Sequence, residues 1–203
     1  MDAPICPEQL LACAISNGGE HIGRLLELYR NYLRLLAQVE IGRRLQAKVD
    51  ASDLVQEAML EAHKSFGSFR GRSEGELVAW LRQIMTAVLC ACVRRYLGTQ
   101  KRDIRLERRL SEGLDHSSSA LGRGFFDRHS SPSQGAIRRE QAVLLADALA
   151  KLPEHYREVL VLRHLEGLSF PQIAERMGRS LDGVEKLWVR GLDRLRQAME
   201  VLR

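Results

Sequence analysis

Aromatic residues make up only 5% of this 203-residue chain, which has 5 prolines and 4 cysteines. The period-two alternation of apolar and polar residues that marks a half-buried strand is scarce as well. Helix formers fill the space, so the expected fold class is all-α. The cysteines are Cys6, Cys13, Cys90 and Cys92. Cys90 and Cys92 lie two apart in an apolar helical run and so point to different faces. No His or Cys stands nearby to complete a zinc set. They read as small buried hydrophobes in a reducing compartment. No apolar run approaches membrane-spanning length. The opening MDAPICPEQLLACAISNGGEH lacks the basic stretch and apolar core of a secretory signal. These absences predict a cytoplasmic chain without a membrane span. His21, His63, His116, His129, His155 and His164 are scattered without metal-ligand spacing. No G-x-S-x-G, P-loop or HExxH motif occurs. No catalytic residue, metal or cofactor is expected.

Apolar content of 45% is enough for real cores, and 203 residues suit one domain or two small ones. The net charge of +5 is unevenly placed. Arg94, Arg95, Lys101, Arg102, Arg105, Arg108 and Arg109 outweigh Asp103 and Glu107, so this one segment carries a charge of +5. A basic stripe in an otherwise neutral chain suits either contact with a polyanion or a solvated linker. Around it the chain divides into a helical block over 1–99, a linker over 100–135 and a second helical block over 136–203. The linker stretch SEGLDHSSSALGRGFFDRHSSPSQG is rich in Ser, Gly and charge and lacks a sustained period, which predicts flexibility. Phe125 and Phe126 are unusual there and read as an anchor, either for a partner or for a domain.

In the first block, Leu25, Leu28, Tyr29, Tyr32, Leu36 and Val39 recur at helical spacing from Leu25 to about Leu45. Ser52 is the expected cap of a helix that turns Leu54, Val55, Ala58, Met59 and Ala62 inward. Its other face shows Asp53, Gln56, Glu57 and Glu61. A loop with Gly67, Gly71 and Gly75 precedes the long apolar run ELVAWLRQIMTAVLCACVRRYL. In the second block, Leu152–Arg196 spells out three helices. Pro153 suits a first helical position and Gly167 a helix stop. Ser169 and Gln172 have capping-box spacing, with Pro171 in the first turn. Gly178 makes a turn, and Ser180 caps a helix that buries Val184, Leu187, Trp188, Leu192 and Leu195. Lys186, Arg190, Arg194 and Arg196 are left outward. A helix pair joined by a short Gly-containing turn is the unit that lays its second helix in the DNA major groove.

The order of these motifs is a DLVQE helix, an F-R-G loop, an A-W-L-x-x-I helix ending in R-R, a variable linker, then LP-x-x-YREVL-x-LR-x-LEG and IAE-x-M-G-x-S. This resembles the bacterial RNA polymerase sigma factors of the sigma-70 family, in the short extracytoplasmic-function form that has only regions two and four. The resemblance covers about Leu25–Leu97 and Ala136–Arg203. It implies two small helical domains joined by a flexible linker, and a promoter-specificity subunit of core polymerase. Asp53, Gln56 and Glu57 would meet the clamp helices of the β′ subunit, where rim charges tune register and on-rate. Phe69, Arg70, Arg72, Arg82, Arg94, Arg95 and Tyr96 would handle the melted minus-ten element, with stacking surfaces and a basic track. Trp80 aligns with an inward tryptophan. Ser180, Asp182, Gly183, Glu185, Lys186 and Arg190 would face the minus-thirty-five element, and the same domain would bind the β flap. An anti-sigma factor is a further partner that the resemblance implies.

The sequence departs from the family pattern at Ala87, where an Asn is usual, and at Ala91, where an Asp is usual. Glu185 stands where many relatives have a basic residue; a carboxylate there is costly near phosphates but can accept from a cytosine amino group. Leu187 and Trp188 replace a more usual Arg and Leu. Three alternatives stay open on sequence: a helix-turn-helix regulator that does not bind core polymerase, an enzyme, and a regulator-binding helical protein without promoter activity.

Overall fold

The computed structural model describes residues 7–42, 49–97, 104–123, 125 and 135–202. Cys6, Lys101, Arg102, Asp103 and Phe126 lie outside them. Among the described residues every regular element is helical. The chain forms two compact units, Met1–His116 and Ser117–Arg203.

The first unit contains α1 (Pro7–Asn17), α2 (Glu20–Glu27), α3 (Arg30–Gly42), α4 (Ala51–Ser65), a 3₁₀ turn (Phe66–Ser68) and α5 (Glu74–Leu97). Helix α6 (Ile104–Arg123) begins in it. α4 packs on α3 and α5, and α1 on α2. Their apolar stripes close a core around Leu25, Tyr29, Tyr32, Leu36, Leu77, Leu81, Met85 and Leu89, each at most 1% exposed. Truncating one such side chain to Ala costs about 2–5 kcal/mol.

Local chemistry sets the helix ends. Asp50, not Ser52, caps α4: its carboxylate accepts from the Ser52 N–H at 2.8 Å. The helix expected from Leu25 to Leu45 is broken at Leu28 and Tyr29. Their N–H groups reach back only three residues, to Leu25 O and Leu26 O. That tight turn swings Leu28 outward, to 36% exposure. The N-terminus of α5 is tied by Glu76, whose Oε2 accepts from the Arg72 N–H (2.9 Å), the Ser73 N–H (3.0 Å) and Ser73 Oγ (2.9 Å). Those bonds, the Arg72 N–H first, hold the Glu76 carboxyl below the usual carboxylate range.

Two sequence expectations are corrected in this unit. By length and composition α5 is apolar enough to span a bilayer, with a mean hydropathy of 1.5 over its best window. Here 56% of that stretch is buried inside the fold, because α5 is the central core helix. The linker composition also concealed a regular element. Leu106, Leu110, Leu114 and Leu121 are buried at helical spacing along α6. Ser and Gly in that stretch masked a period that four leucines carry. The close approach at Gly113 shows how the middle of α6 packs: a Cβ there would lie 2.3 Å from Oε1 of the buried Glu40.

The second unit contains α7 (Gly135–Ala150), α8 (Glu154–His164), α9 (Phe170–Met177) and α10 (Leu181–Leu202), with α10 packed on the other three. Pro153 is the N-cap of α8 rather than its first residue, a shift of one position. Gln172 Oε1 accepts from the Ser169 N–H at 2.9 Å, as the capping-box spacing predicts. Gly178 adopts φ 62° and closes α9, with the Arg179 N–H bonded to Ala174 O at 2.9 Å. Gly191 is buried where α10 packs on α8, and a Cβ there would meet the Leu160 side chain at 3.4 Å, an ordinary contact.

Candidate nucleic-acid interface

On α10 the outward residues fall in one stripe. Ser180 Oγ accepts from the Gly183 N–H at 3.2 Å, satisfying one of the free donors of the first turn. A Cβ on Gly183 would lie 3.0 Å from that oxygen, so glycine leaves room for the cap. Asp182, Glu185, Lys186 and Arg190 are all exposed. Asp182 Oδ2 lies 2.7 Å from Lys186 Nζ, one turn on. Val184 and Leu195 are fully buried on the opposite face, while Leu187, Trp188 and Leu192 are half-buried. Of the six sequence-predicted residues, Asp182, Glu185, Lys186 and Arg190 stand exposed on α10, while Ser180 and the half-buried Gly183 form its cap.

An aromatic stack fixes the pose of α10. Trp188 Nε1–H donates to His164 Nε2 at 3.1 Å, and the Phe125 ring lies over the His164 ring at 4.2 Å. Phe170 meets Trp188 edge-on at 5.5 Å and carries the Arg163 guanidinium 4.8 Å above its face. Arg163 also donates to Leu168 O at 2.9 Å, bracing the turn between α8 and α9. Burial, with the neighbouring Arg163 charge adding to it, pushes the His164 imidazole down to about 4. The neutral ring is the form that can accept the Trp188 bond. Phe125 therefore anchors on its own domain, one of the two roles left open on sequence.

The corresponding residues of the first unit are less free. Phe69 packs 5.2 Å from Trp80 and 5.7 Å from Phe66. Gly71 is required beneath it, because a Cβ would come within 2.4 Å of the Phe69 ring and 2.8 Å of Glu76 Cβ. That is a physical reason for the F-R-G motif. Arg70 donates to Gly67 O at 2.8 Å, and Arg72 is exposed. Arg82 is held by Asp115 Oδ1 at 2.9 Å and by the Tyr32 hydroxyl at 3.3 Å, its side chain 21% exposed. Arg95 and Tyr96 stand exposed at the end of α5, with Arg94 half-buried beside them. Sequence reasoning missed Asp115, since it lay in the stretch read as linker.

Asp53, Gln56 and Glu57 line the exposed face of α4. Glu57 and Glu61 edge a groove of about 450 Å³ between α4 and α5, floored by Trp80, Ile84, Ala87 and Val88. Ala87 is exposed and Ala91 half-buried, so neither small residue is forced by core packing. Cys90 and Cys92 are buried, and burial raises the Cys92 thiol, whereas Cys13 is exposed. No cluster of metal-binding side chains occurs among the described residues.

Two segments of the chain match the sequences of known proteins. Residues 28–100 match Sigma-70 region 2, and residues 142–195 match Sigma-70, region 4. The chain is 28% identical over 165 residues to RNA polymerase sigma factor YlaC of Bacillus subtilis, covering 81% of this chain and 86% of that protein. It is 34% identical over 134 residues to an ECF RNA polymerase sigma-E factor of Haemophilus influenzae, 66% of each chain. The chain belongs to the sigma-70 family. Its relatives place it in the extracytoplasmic-function branch, which also includes SigW of Bacillus subtilis, 26% identical over 75% of this chain. A chain of the solved RsbN–BldN complex aligns over 92% of this chain and 97% of that chain, with 22% identity and a TM-score of 0.32.

As a sigma factor, the protein is a promoter-specificity subunit. It joins core RNA polymerase, recognises promoter DNA and supports its opening at initiation. The region-two match contains α4, the F-R-G loop and α5, and the region-four match contains α9 and the first two-thirds of α10.

Proposed function

We propose that the sigma factor divides its work among residues 1–99, 100–135 and 136–203. The acidic face of α4, with Asp53, Gln56 and Glu57, meets the clamp helices of the polymerase β′ subunit. Arg70, Arg72, Arg94, Arg95 and Tyr96 offer the cationic track and stacking edge for the minus-ten strand, with Phe69 and Arg82 behind them. Helix α10 enters the major groove of the minus-thirty-five element through Ser180, Asp182, Gly183, Glu185, Lys186 and Arg190, while its domain also takes the β flap. The basic residues on α6, Arg105, Arg108 and Arg109, favour a course beside nucleic acid. An anti-sigma factor is a further partner, and the cytoplasm is where the protein acts. It is a binding subunit and not an enzyme.

The observation that carries this reading is the outward face of α10, where Asp182, Glu185, Lys186 and Arg190 stand exposed on a braced helix-turn-helix. The test is co-purification with bacterial core polymerase, followed by transcription from a pool of genomic fragments. Stoichiometric binding with new start sites supports the reading and reveals both elements. Absence of binding would replace it with a helix-turn-helix regulator independent of core polymerase.

A further inference from the structure

Beside the charged stripe of α10 runs a second one of mixed chemistry. Leu181, Glu185 and Val189 recur every four residues and so share a face. Leu181 is 46% exposed and Val189 is 52% exposed, with exposed Glu185 between them. Leu181 borders the side that Val184 and Leu195 bury and Val189 lies further round, yet both leave about half of their surface in solvent. Asp182 is already compensated by Lys186 at 2.7 Å. Glu185 has no cationic partner among the described residues.

A carboxylate can only accept hydrogen bonds. In the major groove, guanine offers N7 and O6 and thymine offers O4, all of which would repel it. Adenine offers one donor, but its acceptor N7 lies alongside. Cytosine N4–H₂ is the donor with no acceptor beside it on the same base edge. The apolar tips of Leu181 and Val189 have one favourable major-groove partner, the thymine methyl. Four residues advance about 6 Å along a helix, roughly two base-pair steps.

We infer that the upstream element read by this sigma factor carries a C·G pair contacted by Glu185, with thymine methyls within about two base pairs, met by Leu181 and Val189. This rests on the placement of α10 in the major groove proposed above. The basis is the apolar–acid–apolar stripe itself: any holder of the fold could dock the helix, but this stripe selects particular bases.

The test uses holoenzyme reconstituted from the full chain and core polymerase, with promoter duplexes randomised across the upstream element. Sequencing of the bound fraction should show one position where wild type prefers C by about tenfold, as a good base contact gives. Glu185→Gln should move that preference to A, whose N6 and N7 match an amide, and Glu185→Arg should move it to G. Leu181→Ala and Val189→Ala should weaken the neighbouring T preference severalfold and leave the C. Because Glu185 is exposed, its variants leave the fold intact. If wild-type and both Glu185 variants select the same base at every position, the inference is overturned while the sigma reading stands. If the chain does not join core polymerase at all, the functional reading falls and takes this inference with it.

Discussion

Helix α10 and the α5 region both carry candidate DNA contacts, and they hold them differently. On α10, Asp182, Glu185, Lys186 and Arg190 project from a face that the fold does not use. Around α5, Phe69 is spent on an aromatic cluster with Phe66 and Trp80, and Arg82 on Asp115 and Tyr32. A helix-turn-helix separates its duties by face, because one side of α10 packs and the other does not. The loop and core helix of region two use the same side chains for packing that single-strand binding would require. Substitutions on α10 should therefore change DNA binding with little effect on stability, and those near α5 should change stability first.

The largest expected effect is that of Lys186→Ala combined with Arg190→Ala. Promoter-duplex affinity of the holoenzyme should fall by about 10- to 100-fold, and the dependence of log affinity on log salt should flatten by about two charges. Unchanged binding in a salt titration would show that the register assigned to α10 is wrong. Next comes Phe69→Ala, which should lower the stability of the first unit by about 2 kcal/mol in denaturant unfolding, since the ring is half-buried. A fully stable variant that no longer opens promoters would erase the contrast and make Phe69 a free stacking surface.

The third effect is one of pH on the second unit. His164 titrates near 4 when folded and near 6.5 when unfolded. The unfolded chain binds the proton more readily, so the contribution is complete above about 6.5 and is lost as pH falls toward 4. By pH 5 the loss should be about 1 kcal/mol, allowing for the partial exposure of the ring. Thermal unfolding at pH 7 and pH 5 checks this, and His164→Phe should flatten the difference. Smallest is Asp115→Ala, expected to cost about 0.5 kcal/mol, because the carboxylate is 58% exposed. The same variant should loosen Arg82, which Tyr32 still holds, and a gain in affinity for a single-stranded minus-ten oligonucleotide would sharpen the contrast between the two regions.

Much of the second unit could be read in advance. Capping chemistry is local: Ser169 and Gln172, Gly178, and Ser180 act within four residues of their own positions, so spacing alone locates the turns. The first unit was legible as helices but not in detail. A single helix was expected where Leu28 and Tyr29 make a turn, because both arms share one apolar stripe and the turn adds no Gly or Pro to mark it. The length and apolar content of α5 could not distinguish a buried core helix from a spanning one; only its burial in the first unit does.

The sequence by itself determined the all-α class, the order of the two helical blocks, the family, and the outward stripe of α10. Each follows from periodicity, caps or motifs, which are properties of neighbouring residues. Tertiary structure alone decided which candidates are free. Asp115 reaches Arg82 across 33 positions, and His164 meets Trp188 across 24. Such pairings depend on how helices cross, and no local spacing encodes a crossing. Phe125 belongs with these: its composition marked it as unusual, and only the stack on His164 gave it a place.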